Sequence, residues 1–194
     1  MPVYEPQEDS ELLKKFVEKF ATGRVLDMGT GSGIQAFAAA QKNDVSSVLA
    51  VDIDKDALDH VRSELLRRKK EAPDSPCFKK ITVVKSNLFA QIDPDEKFDT
   101  ILCNPPYLPD EAEDSHPALY GGADGYELIL AFLDQAKSRL APSGSILLLF
   151  SSLSNKERIL QEFKKLGYAS TELAVEVHFF EQLYVYRLWR RGRD

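Results

Sequence analysis

The stretch Val25-Leu26-Asp27-Met28-Gly29-Thr30-Gly31-Ser32-Gly33 constrains the fold more than any other in this 194-residue chain. An apolar run opens directly into three alternating glycines and then into a helical pattern from Ile34 to Gln41. Strand, tight loop and helix in that order are the first half of a βαβ unit, and strands joined this way lie parallel. The glycine spacing also bears on the ligand. A dinucleotide loop needs G-x-G-x-x-G, and Ile34 stands where the third glycine would be, which disfavours a nicotinamide cofactor. Alternating glycines let the backbone pass close to a ligand with no Cβ in the way, so Gly29 and Gly31 are candidate cofactor contacts. Asp27, at the strand end, can bind an ammonium or polar tail. Asp52 follows Val48-Leu49-Ala50-Val51, nineteen residues after Gly33, placed to accept both hydroxyls of a ribose. Asp54 lies closer to the next helix and suits its N-terminus better.

The remaining patterns alternate in the same way. A helix over Glu8 to Phe20 precedes strands at Arg24–Met28 and Ser47–Val51, separated by the helix Ile34–Gln41. A helix over Lys55–Lys70 and a Pro-broken loop, Glu71 to Phe78, lead to strands at Ile81–Val84 and Thr100–Cys103. A helix at Tyr126–Leu140, a strand at Ser145–Phe150 and a helix at Asn155–Leu166 follow, and strands at Ser170–Val177 and Leu183–Trp189 form a closing hairpin. The class is α/β, a mostly parallel sheet with helices on both faces. No linker, repeat or low-complexity tract divides residues 1–194, so one domain with an N-terminal helix is expected.

The clearest clue to chemistry is Asn104-Pro105-Pro106-Tyr107, directly after the apolar run Phe98 to Cys103. Two prolines fix φ and donate no N–H, so the carbonyls of Asn104 and Pro105 are not taken up by a continuing ladder. With the Asn104 side-chain oxygen they form acceptors suited to an NH2 group, and Tyr107 offers a flat face to a planar amide or base. A Pro-rich turn capping a strand would have the same sequence, so the motif gains weight only beside the glycine loop and Asp52.

The glycine loop resembles motif I of the S-adenosylmethionine-dependent methyltransferases. Together with Asp52 and Asn104–Tyr107 it resembles an amino-group methyltransferase. The flanks Tyr4-Glu5-Pro6-Gln7-Glu8-Asp9-Ser10-Glu11-Leu12-Leu13 and Ala118-Leu119-Tyr120-Gly121-Gly122-Ala123-Asp124-Gly125 are similar to signatures of the HemK or PrmC type protein-glutamine methyltransferases, in the short archaeal and eukaryotic branch. The resemblance implies a Rossmann-like class I fold, a seven-stranded sheet with an antiparallel seventh strand, and S-adenosyl-L-methionine as cofactor. It implies Ser10 and Glu8 at the methionine end, and Asn87 and Leu88 at the adenine end. It makes Asn104, Pro105 and Tyr107 the catalytic group, with Asn104 also touching the cofactor. Asn87 departs from the acidic residue usual after the third strand, but its amide oxygen can still accept from an adenine amino group. The implied substrate is the glutamine of the Gly-Gly-Gln loop in class I translation release factors. An N6-adenine DNA or RNA methyltransferase and a protein-lysine methyltransferase are the alternatives. Because an amide lone pair is delocalised, positioning rather than a strong base is expected to carry the rate.

Composition narrows the partners. With 31 acidic and 25 basic residues the net charge is −6, which opposes sequence-independent binding to nucleic acid, where neutralising phosphates supplies most of the affinity. The basic runs Arg67-Arg68-Lys69-Lys70 and Arg190, Arg191, Arg193 are read as solvated or helix-dipole-related. The acidic stretch Asp110-Glu111-Ala112-Glu113-Asp114 can face a basic substrate or simply be a soluble loop. Cys77, Cys103, His60, His116 and His178 have neither disulfide nor metal-ligand spacing, so no metal is expected. The start, Met1-Pro2-Val3-Tyr4-Glu5, has no basic leader region and no apolar run spans a bilayer, so a cytoplasmic protein is expected. In the sheet order implied by the resemblance, Ile81-Thr82-Val83-Val84 is an open edge, where a small zinc-binding activator subunit adds a strand in the archaeal and eukaryotic branch. Lys79, Lys80 and Lys85 could instead keep that edge free.

Overall fold

A computed structural model describes residues 8–73, 75, 77–107 and 122–192. Tyr4 to Gln7, the acidic stretch 110–114, His116, residues 118–121 and Arg193 lie outside the described residues. In chain order the elements are α1 (Glu8–Phe20), β1 (Gly23–Met28), α2 (Ile34–Gln41), β2 (Val45–Asp52), α3 (Lys55–Glu71), α4 (Cys77–Lys80), β3 (Ile81–Lys85), β4 (Phe98–Cys103), α5 (Glu127–Arg139), β5 (Leu140–Ser151), α6 (Lys156–Lys165), β6 (Tyr168–Val177) and β7 (Gln182–Arg190), with a 3₁₀ turn at Ser152–Ser154.

One seven-stranded sheet has the order β3-β2-β1-β4-β5-β7-β6. β7 runs antiparallel to both neighbours, and the pairs from β3 through β5 are parallel. Alternation along the strands explains the two cores. Leu26, Ile101, Ile146, Leu148 and Phe150 point to the face covered by α5 and α6, against Ile129, Phe132, Ile159 and Phe163. Their neighbours Val25, Leu102, Leu147 and Leu149 point to the opposite face, where α1 and α2 bring Leu12, Leu13, Val17 and Ala36. A strand covered on both faces must be apolar on both, which is why these runs read as continuous rather than alternating.

Local signals set the helix ends. Asp54 caps α3 as expected, its carboxylate accepting from the Asp56 N–H at 2.9 Å. The basic run at the end of α3 is largely spent within the helix: Arg67 and Arg68 both pair with Glu64, and Arg67 also reaches Glu71. Three expectations need adjustment. Cys77–Lys80 form a short helix that begins inside the expected loop Glu71 to Phe78. β5 begins at Leu140, because Leu140 pairs with Phe98 across an irregular register even though Pro142 and Gly144 follow. The 3₁₀ turn after β5 had no sequence signal beyond Ser151, whose side chain accepts from the Leu153 N–H.

Candidate active site

The chain reverses direction across the sheet between β1 and β4, the switch point where open α/β sheets bind ligands at the carboxyl ends of their strands. The registers Met28↔Val51, Met28↔Cys103 and Asp52↔Lys85 bring those ends level. The glycine loop then folds over the end of β2, with the N–H groups of Gly29 and Thr30 both donating to the Val51 carbonyl at 2.9 Å. Gly29 and Gly31 have φ of 72° and 50°, and a Cβ on either would meet nothing within 4 Å, so this backbone borders open space. Gly33 is different, since a Cβ there would strike the Phe37 ring at 2.8 Å. It is a packing glycine, whereas the other two leave room for a ligand.

Asp27 is buried, and its Oδ2 accepts from the Thr30 hydroxyl at 2.7 Å and the Ala36 N–H at 3.1 Å. These bonds hold the two ends of the loop together. Burial outweighs them and raises the carboxyl pKa to about 7, with the Asp52 charge adding to the rise. Burial also pushes the Cys103 thiol well up, which fits a small buried hydrophobe. Oδ2 is thus engaged in shaping the loop, and a role for Asp27 towards an ammonium or polar tail would fall to Oδ1.

Asp52 also organises main chain, Oδ2 accepting from the Gly31 N–H and Oδ1 from the Asp54 N–H, each at 2.9 Å. A carboxylate oxygen has two lone pairs, so each keeps one acceptor site for a hydroxyl. Beyond β3, the buried Ser86 shapes a turn by donating to the Leu88 carbonyl at 2.7 Å and accepting from the Gln91 N–H. In that turn Asn87 is exposed and Leu88 has φ of 48°, a left-handed conformation costly for a leucine. Strain of this kind gathers where a backbone must present itself to a ligand.

At the end of β4, the Asn104 Nδ2 donates to Asp9 Oδ2 at 2.9 Å, and the Tyr107 hydroxyl lies 3.5 Å from the same oxygen. Asp9 as a carboxylate only accepts, so it dictates which way the Asn104 amide faces. The Asn104 Oδ1 on the other side is buried with no hydrogen-bond partner. An orphaned buried acceptor is costly unless something fills it, and an N–H donor from a ligand would do so. Pro105 is buried, and the Tyr107 carbonyl is pinned by the Ser154 hydroxyl at 2.7 Å. Ser10 is buried at the start of α1, its carbonyl accepting from Gln35 Nε2 at 2.8 Å. Gln35 Oε1 is a second buried acceptor with no partner.

All the candidate residues therefore gather along the carboxyl ends of β1 to β4, with the start of α1 bridging the glycine loop to Asn104. Two residues were missed. Asp9 lay inside the quoted N-terminal signature but had no assigned role, and that membership was the only available signal. Gln35 had no signal, being the second residue of an ordinary apolar helix. Among the described residues no cluster of three or more His, Cys, Asp or Glu side chains is arranged to hold a metal ion. A hollow of about 360 Å³ lined by Ser145, Arg187, Trp189 and Arg190 lies at the opposite end of the strands.

The seven-stranded order with its antiparallel closing hairpin, the open glycine loop and a carboxylate one strand over are those of the Rossmann-like methyltransferase class. The chain belongs to the methyltransferase small domain family, whose model matches residues 6–175. It is similar to a Methanocaldococcus jannaschii protein named as a protein N5-glutamine methyltransferase, 33% identical over 97% of this chain and 92% of that protein. It is also similar to the release factor glutamine methyltransferase of Rhodopirellula baltica, 34% identical over 66% of this chain and 45% of that protein. The chain thus spans less than half of that bacterial relative. Among solved structures it shares its fold with the E. cuniculi Mtq2–Trm112 complex, described as responsible for methylation of the eRF1 translation termination factor, at a TM-score of 0.73 and 24% identity over 98% of this chain and 100% of that one. These relatives bear out the HemK or PrmC type, and the chain is an enzyme of the methyltransferase class.

Proposed function

We propose that the protein transfers a methyl group from S-adenosylmethionine to the side-chain amide nitrogen of a glutamine in a class I translation release factor. The observation that carries this reading is the Asn104 oxygen, buried without a partner while Asp9 holds the other side of the amide. The names of the relatives supply the acceptor class. When bound, the cofactor supplies an electrophilic methyl on a sulfonium. The chain's residues do the rest by holding. The open backbone at Gly29 and Gly31 admits the cofactor, and the free lone pairs of Asp52 accept its ribose hydroxyls. Asn87 and Leu88 border the adenine, while Ser10, Gln35 Oε1 and the remaining oxygen of Asp27 serve the methionine end. Asn104 Oδ1 and the Pro105 carbonyl accept the two N–H groups of the substrate amide, and Tyr107 lies against its plane. Gripping both N–H groups favours a pyramidal nitrogen whose lone pair can meet the methyl in line. The proton then leaves from a cationic, acidic nitrogen, so no strong base is required.

Two finer statements accompany this reading. β3 is the sheet's outermost strand on its side, and we place a small zinc-binding activator subunit along it, paired by β-augmentation. A translation factor as substrate supports a cytoplasmic location. No helix among the described residues is long and apolar enough to cross a membrane.

The deciding experiment supplies labelled S-adenosylmethionine with separate acceptors: a class I release factor, ribosomal proteins, a lysine-rich protein, tRNA and DNA. Label on a release-factor glutamine, located by mass spectrometry, is the expected result. Label confined to nucleic acid or to lysine overturns it.

A further inference from the structure

The β6–β7 hairpin ends in a tip, residues 178–181, that carries two aromatic rings in water. Phe179 and Phe180 are 91% and 86% exposed, and they stack edge to face at 4.5 Å between centroids. Val177 before them and Leu153 on the neighbouring turn are also exposed. A folded chain gains nothing for its own stability by leaving such rings uncovered, and contiguous exposed apolar patches mark interaction sites.

The tip sits at the active-site end of the sheet, because β7 begins where β5 ends: Leu183 pairs with Ser151. Polar contacts tie it to the catalytic turn from two sides. On one side, His178 Nδ1 lies 2.9 Å from Glu8 Oε2, and the next residue, Asp9, holds Asn104. On the other, the Ser151 hydroxyl donates to Glu181 Oε2 at 2.5 Å, the Gln182 N–H donates to the Ser152 hydroxyl at 3.0 Å, and Ser154 holds the Tyr107 carbonyl. The His178 N–H closes the tip on the Glu181 carbonyl at 2.8 Å. The rings are therefore presented in a fixed position beside the mouth of the site.

We propose that the Phe179–Phe180 tip is the docking surface for the substrate polypeptide next to its acceptor side chain, and that it selects an apolar segment with basic neighbours. The proposal rests on reading the site as a protein methyltransferase. Continuity with that site argues for the substrate as occupant: His178 of the tip contacts Glu8, and the adjoining Asp9 holds Asn104, so the tip lies next to the residues that would receive the acceptor side chain. Charge argues for its chemistry. Glu8 and Glu176 flank His178, the residue before the rings, and Glu181 follows them in sequence, an acidic setting that repels phosphate backbones and attracts lysine or arginine. Aromatic pairs of this kind act as anchors in protein interfaces, where a few large side chains hold most of the affinity.

The test compares the wild-type chain with the double variant Phe179→Ser, Phe180→Ser, using a recombinant class I release factor and labelled S-adenosylmethionine. Both residues are solvent-exposed, so the variant should fold, as checked by an unchanged melting temperature and unchanged calorimetric affinity for the cofactor. The expected result is a KM for the release factor raised about thirtyfold with kcat retained. An unchanged KM overturns the docking surface while leaving the proposed function intact. Should the wild-type chain label no protein at all, the reading of the site fails and the docking proposal fails with it. Sedimentation supplies a further check: a wild-type dimer that the double variant abolishes, with KM unmoved, would make the tip a contact between copies and overturn the proposal.

Discussion

Asp9 Oδ2 lies 2.9 Å from Asn104 Nδ2 across 95 positions of sequence, and this contact determines what the proposed catalytic amide can do. An asparagine side chain offers a donor on one side and an acceptor on the other, and a half-turn about its last bond exchanges them. A carboxylate on one side removes the choice. The acceptor is left buried and without a partner before any substrate arrives.

Removing this constraint should therefore affect the chemical step more than binding. Asp9→Ala is expected to lower kcat about tenfold to a hundredfold while the cofactor dissociation constant changes little, because Asp9 acts through Asn104. Asn104→Ala should lose at least as much turnover. The double variant should be scarcely worse than Asn104→Ala alone, since each change destroys the same contact. Single-turnover rates with calorimetry on all three variants provide the check, and strictly additive losses would show that Asp9 acts elsewhere.

Asp52→Ala should weaken cofactor binding by about 1.5 to 3 kcal/mol, roughly tenfold to a hundredfold, through loss of a charged double acceptor. The same carboxylate holds the N–H groups of Gly31 and Asp54, so part of that loss will come from a slackened loop. Asp52→Asn separates the two effects. It keeps one oxygen for the main chain and should bind cofactor between wild type and Asp52→Ala. Calorimetry giving wild-type affinity for Asp52→Ala would remove Asp52 from the ribose site.

Asp27 makes stability depend on pH. Burial raises its carboxyl to a pKa of about 7 in the fold, against 3.8 for an ordinary aspartate. Between those values the folded state holds a proton that the unfolded chain releases, so stability is greatest below pH 4 and falls as pH rises towards 7. The loss above pH 7 is up to about 4 kcal/mol from this one group. Asp27→Asn can still accept from Thr30 and Ala36 and carries no charge to bury. It should melt at a higher temperature than wild type at pH 8, with the advantage vanishing near pH 4. Parallel melting curves from pH 4 to 8 would contradict the burial of this group.

The proposed activator edge also yields a test, but not at the most apolar positions. Ile81 and Val83 pack against the α1–α2 core and Val84 against the other, so a charge at any of them would damage the fold as well as the edge. Thr82 is exposed. Thr82→Lys should lower co-purification with an activator subunit while leaving the isolated chain's melting temperature unchanged. Equal recovery of the subunit would place it elsewhere.

The strands and helices were legible because each is long enough to show its period. Val25 to Met28, Ile146 to Phe150 and Leu183 to Trp189 alternate between two cores, and the helices carry capping residues such as Asp54 where the first turn begins. Asp52, Gly31 and Asn104 were legible as candidates because each sits at or just beyond the end of a strand, so locating the strand locates the residue. What was not legible arose from packing between distant segments. Nothing near Asp9 in sequence indicates Asn104, and nothing near Gln35 indicates Ser10; both contacts exist because α1 lies on α2. The start of β5 was misjudged for a similar reason, since the pairing of Leu140 with Phe98 overrides the turn-like Pro142 and Gly144.

The docking of α1 makes competence and completeness of the fold the same event. The seven strands can pair without Glu8, Asp9 or Ser10, so a molecule whose first helical turn has frayed still holds its sheet and its glycine loop. In that state the amide of Asn104 turns freely and nothing fixes its acceptor towards the site. On the proposed role of Asn104, partly opened molecules are expected to be silent rather than indiscriminate, and an affinity tag that tugs on the first helix should quench turnover long before it lowers the melting temperature.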